Sequence, residues 1–166
     1  MATPTNLPAA QTTGNVLTAA YVNDLRGAFR VLQVVQGTTS TQASNSTNVF
    51  ADTGLTASIT PQSATSKVLV FVSQNNCQKS TGDTQNSIML SLFRGATSIT
   101  EFANFGLYTD SSLQNRGSFS TVFLDTPNTT SATTYKTQFR NAANAASVTC
   151  QTSAGTSTII LMEISA

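Results

Sequence analysis

The sequence predicts an all-β protein, an antiparallel sandwich or barrel preceded by a short helical segment. Three observations carry this expectation. Short runs rich in Val, Ile, Thr and aromatic residues recur along the chain. Turn chemistry separates them, at Asp52-Thr53-Gly54, Thr81-Gly82-Asp83, Arg94-Gly95, Asp125-Thr126-Pro127-Asn128 and Ser153-Ala154-Gly155. Helical spacing, by contrast, is clear only near the N-terminus.

Residues 1–28 form the first unit. Up to Gly14 the chain has two prolines, several threonines and no periodicity. Leu17, Tyr21, Leu25 and Ala28 then recur at helical spacing, with Thr18 placed to cap the start and Gly27 to end it. A helix this short needs a docking surface. It packs either on its own domain or, as an adaptor, on another protein.

Residues 29–166 form the second unit. Phe29 to Gln36 reads as a strand, and residues 37–48 as a Ser/Thr/Gln loop. Val49-Phe50 starts a short strand that turns at Gly54, after which Leu55, Ala57 and Ile59 alternate. The stretch from Ile59 to Gln74 is the most informative. Pro61 and its Ser/Thr neighbours make a turn, and Val68 to Val72 are five consecutive apolar residues. Val68, Val70 and Val72 face one way, Leu69 and Phe71 the other. Both faces are apolar, and in a sandwich the opposing sheet covers only one. A neighbouring subunit is the simplest cover for the second.

Residues 74–85 read as a polar connection. Ile88, Leu90 and Leu92 alternate up to Arg94-Gly95, and 98–108 is either a short helix or an aromatic-rich loop. Phe119 to Leu124, Thr133 to Arg140, Val148 to Cys150 and Thr158 to Ile164 complete the strands. In the last, Ile160, Met162 and Ile164 are expected to point inward, which leaves Ile159 and Leu161 to be covered from outside. The expected core therefore includes Val68, Val70, Val72, Leu90, Val122 and Ile160. The expected subunit interface is Leu69, Phe71, Ile159 and Leu161.

Composition narrows the function classes. Of 166 residues only 9 % are charged while 39 % are apolar, and the net charge is +1. That is not the signature of disorder, and it gives no footprint for nucleic acid or an anionic membrane. No apolar run approaches a membrane span, and the first residues lack the positively charged n-region and apolar run of an export signal, so none is expected. There is no histidine, which removes the usual general base and the commonest metal ligand. Asp24, Asp52, Asp83, Asp110, Asp125, Glu101 and Glu163 are scattered, mostly in turns, so a glycosidase-like pair is not indicated. No phosphate-binding loop or metal-ligand spacing occurs, so no catalytic residue, metal or cofactor is expected. Cys77 and Cys150 are either buried free thiols or one bridge between adjacent strands.

The order of several short motifs resembles tailed-bacteriophage virion structural proteins, especially tail and fibre components. Asn15-Val16-Leu17-Thr18-Ala19-Ala20-Tyr21-Val22-Asn23-Asp24-Leu25 is similar to their "G-x-V-L-T-A-A-x-x-N" opening. Phe50 to Pro61 running into Ser66-Lys67-Val68-Leu69-Val70 is similar to a module of the same proteins. So are Leu92-Phe93-Arg94-Gly95-Ala96-Thr97-Ser98-Ile99, Asp125 to Tyr135, and Met162-Glu163-Ile164 near the end. The resemblance spans residues 15–165. It implies a jelly-roll-like head, a non-enzymatic role in the virion and a homotrimer. It also implies an N-terminal segment, with Leu17, Tyr21 and Leu25, that anchors to other virion proteins. A short fibre touching a host surface glycan is the first expectation, and a capsid decoration protein clamping capsid subunits is the alternative.

Overall fold

A computed structural model describes residues 31–81, 85–143 and 146–165. The N-terminal unit, with Leu17, Tyr21 and Leu25, lies outside the described residues. The described chain is built of ten strands: β1 (Val31–Thr39), β2 (Ala43–Asn45), β3 (Ala51–Ile59), β4 (Lys67–Lys79), β5 (Ile88–Arg94), β6 (Thr97–Gly106), β7 (Asn115–Asp125), β8 (Thr133–Asn141), β9 (Val148–Cys150) and β10 (Ser157–Ile164). A single 3₁₀ turn, Thr152–Ala154, joins the last two.

The strands make two antiparallel sheets that pack face to face. One runs β1-β10-β4-β7, the other β3-β8-β5-β6. β10 pairs with Lys67–Ser73 of β4. Further along the same edge β9 takes over at Gln78 and Lys79, with β2 beyond it. Among the long strands the chain changes sheet at every connection except the β5–β6 hairpin. The eight long strands, four to a sheet, are wound in this way as a jelly roll, and β9 and β2 extend the first sheet to six.

Alternation fills the space between the sheets. Leu55 and Ile59 of β3, Val68, Val70 and Val72 of β4, Leu92 of β5, Tyr135 of β8, and Ile159 and Leu161 of β10 form one buried cluster. Cys77, Ile88, Leu90, Phe139, Val148 and Cys150 form a second, toward the other end. Gly37 lets the edges of the sheets close on one another: a Cβ there would collide with the Thr56 carbonyl.

Several strand limits differ from expectation. Residues 49–59 are not two strands around a turn. Gly54, with φ of 84°, shifts the register inside a single strand, β3. β1 continues to Thr39 and β2 interrupts the loop that follows. β4 runs on to Lys79 through residues expected to be a connection, because β7 and β9 satisfy its backbone on both sides. Residues 97–106 are strand β6, neither helix nor loop.

Candidate functional site

Among the described residues, no side chain or strand is laid over the outer face of the β1-β10-β4-β7 sheet. Residues directly opposite on antiparallel strands point to the same side, so the register identifies whole rows. Val34, Met162, Leu69 and Leu124 form one row across four strands. Ile160, Phe71 and Val122 continue from Gln36 in the next, and Thr38, Thr158, Ser73 and Ser120 form a third. Seven of the eight side chains in the first two rows are apolar, and none of the twelve is charged. Val34 is 57 % exposed, Val122 59 % and Leu124 49 %. Between β4, β7 and β10 lies a shallow groove of about 250 Å³, bounded by Phe71, Val122, Ile160 and the Ser/Thr row.

Of the four residues expected at an interface, Leu69 and Phe71 lie on this face. Ile159 and Leu161 do not. Both are fully buried between the sheets, in contact with the β4 valines, and so cannot meet a neighbour. The faces of β10 are the reverse of those expected: Ile160 and Met162 point outward. Val122 is likewise outside rather than in the core, and Ile160 is only half-buried.

One physical cause underlies these corrections. Glu163 and Asp125 carry charges of the kind that ordinarily face water. Instead both are turned inward, flanking Val68 in one row of the sheet. Buried charges require partners, and both have them. The Glu163 carboxylate accepts from Gln33 Nε2 at 2.6 Å and from the Gln62 backbone N–H at 2.7 Å. Burial pushes the Glu163 carboxyl up. These donors more than offset it, so the group titrates below the ordinary carboxylate range. Arg94 Nη1 donates to both oxygens of Asp125, at 3.0 and 2.8 Å, and the Tyr135 hydroxyl donates to Oδ2 at 2.6 Å. Burial, and then the hydrogen bond to Asp125, push the Tyr135 phenol well above its usual value.

The opposite outer face, on β3-β8-β5-β6, carries its own cover. Asp52 pairs with Lys136 at 2.8 Å and accepts from Gln138 at 2.7 Å. Arg140 lies over the Phe50 ring, 5.3 Å from its centre, and Phe50 stands edge-on to Phe93 at 5.5 Å. Met89 and Phe93 on this side are buried beneath these chains. Asp52, Asp125 and Glu163 are thus each tied into contacts that hold the sandwich together. Among the described residues no group of His, Cys, Asp or Glu side chains is arranged to hold a metal ion.

No model of a known protein family matches the chain, and no curated protein matches it.

Sequence reasoning missed Val34, Val122, Leu124, Ile160 and Met162 as members of this face. The signal that finds them is register rather than composition: once Leu69 and Phe71 are outward, their partners across the strands must be outward too.

Proposed function

We propose that this chain is a non-catalytic structural subunit of a tailed-bacteriophage particle. It assembles with copies of itself through the outer face of the β1-β10-β4-β7 sheet. That apolar face, with Lys67 at its margin, is the observation that carries the reading. Strand spacing makes its two apolar rows roughly 250 Å², and the face with its Ser/Thr row roughly 400 Å², comparable with the largest patch on a typical monomer, which is often functional. The absence of charge from its three central rows suits a second copy as partner, because those rows can meet without like charges opposing one another. Head-to-tail contacts must close into a ring to avoid filaments. Closure as a trimer follows the motif resemblance.

In this reading residues 1–28, with Leu17, Tyr21 and Leu25, attach the trimer to other virion proteins. The jelly roll then stands out as a short fibre with its loops toward the host surface. The test is an antibody raised against the purified chain. It is expected to label intact particles, and deletion of residues 1–28 is expected to abolish that labelling while the deleted chain still forms trimers. Particles that never carry the chain would overturn the virion role. A deleted chain that still decorates them would overturn the anchoring.

A further inference from the structure

We propose that Cys77 and Cys150 are an oxidation site, closing to an intramolecular disulfide when the protein meets a small-molecule disulfide oxidant. This inference is independent of how the chain assembles. In the β4–β9 ladder Gln78 stands opposite Thr149 and Lys79 opposite Val148. The next position in that register sets Cys77 opposite Cys150. Directly opposed residues of antiparallel strands hold their Cα atoms about 4.5–5.5 Å apart, inside the roughly 4.4–6.8 Å that a disulfide spans. The sulfur atoms are 3.7 Å apart, and both residues are fully buried in one cluster with Ile88, Phe139 and Val148.

A backbone feature creates this pairing. Val68, Val70, Val72 and Gln74 point inward, so strict alternation would turn Cys77 out. Asn76 adopts the left-handed region, with φ of 48°, and the register to β7 shifts between Gln74 and Cys77. The parity of β4 reverses there, and Cys77 turns in toward Cys150. The side chain of Asn76 holds the bulge by donating to the Thr152 carbonyl at 3.0 Å.

The chemistry is two successive thiol–disulfide exchanges. One cysteine thiolate attacks the oxidant's S–S bond, forming a mixed disulfide and releasing one small thiol. The second thiolate attacks the protein sulfur of that mixed disulfide and releases the other. Two protein thiols become one disulfide, and the oxidant takes up two electrons and two protons to become two thiols. Burial, reinforced by the neighbouring Cys77, pushes the Cys150 thiol well up, so the closed fold holds little thiolate. Attack therefore waits for opening at β9, a strand of only three residues. The bridge would join positions 73 residues apart, and closing a loop of that length is expected to raise Tm by roughly 5–10 °C.

The test uses the full chain, reduced and then exposed to oxidised glutathione. A parallel sample is refolded from urea in a glutathione redox buffer, so that burial cannot block access. The expected product has lost the mass of two hydrogen atoms and resists alkylation in denaturant. It yields a peptide linking Cys77 to Cys150 and melts higher than the reduced form. Cys77→Ser and Cys150→Ser are each expected to stop at a glutathione adduct or a free thiol, with no rise in Tm. Two thiols still alkylatable after oxidative refolding would overturn the proposal. So would links between chains in place of the internal bridge, or a bridged form that melts below the reduced one.

Discussion

The two outer faces of the sandwich are made from similar strands and finished in opposite ways. On β3-β8-β5-β6, Met89 and Phe93 lie under long polar side chains, and Asp52, Lys136, Gln138 and Arg140 present a charged, hydrogen-bonded surface to water. On β1-β10-β4-β7 the described residues supply no such cover. Val34, Leu69, Phe71, Val122, Leu124, Ile160 and Met162 stand in two rows without a charge among them. The first face is complete in a single chain. The second leaves large apolar side chains open among the described residues, and burying each contributes about 1.5–3 kcal/mol to whatever covers them.

The comparison can be broken most forcefully inside one strand. Leu161 points into the core and Ile160 out of it. Leu161→Ala is expected to destabilise the subunit by about 2–5 kcal/mol, read by urea denaturation. Ile160→Ala in the dissociated subunit is expected to cost about 1 kcal/mol or less. Equal losses would mean that β10 has no inner and outer side. Next in size is Tyr135→Phe, which removes one of the donors to Asp125 and is expected to cost about 1–3 kcal/mol in the same assay.

Much of the fold was legible in the sequence. Alternation placed Val68, Val70 and Val72 inward and gave β8 its inward Thr133, Tyr135, Thr137 and Phe139. What alternation left open was which way the strand ends turn. Glu163 and Asp125 imitate solvent-facing residues, and only long-range partners reveal otherwise. Gln33 comes from another strand and Arg94 from the opposite sheet. The parity of β10 was undetermined locally, because Ile159, Ile160, Leu161 and Met162 are apolar on both sides. The bulges at Gly54 and Asn76 were also hidden, since a turn residue and a short register shift read alike in sequence. Two residues of the candidate face, Leu69 and Phe71, were therefore legible. The other members required the register.

The buried carboxylate sharpens the contrast through pH. The Glu163 carboxyl titrates below its ordinary value of 4.5 in the folded chain. A carboxyl depressed on folding contributes stability that is fully present above its unfolded value and is lost as pH falls through the folded one. Tm is expected to drop as acid is added below that ordinary value, with a smaller drop in Glu163→Gln. Parallel melting curves for the two proteins would remove Glu163 from the account. The smallest effect is expected on the finished face. Thr134→Lys, on the solvent side of β8, is expected to change stability by no more than about 0.5 kcal/mol and to leave assembly untouched. Val122→Lys is expected to dissociate the assembly.

The most direct measurement is the mass in solution of the wild-type chain and of Phe71→Ser/Val122→Ser, by light scattering at micromolar concentration, alongside circular dichroism. The wild type is expected to have the mass of a trimer. The double variant is expected to have that of a monomer with an unchanged β spectrum, since both residues lie on the outer face. A wild-type chain that is a stable, soluble monomer under these conditions, or a variant that stays trimeric, would contradict the claim that this face is where the molecule assembles.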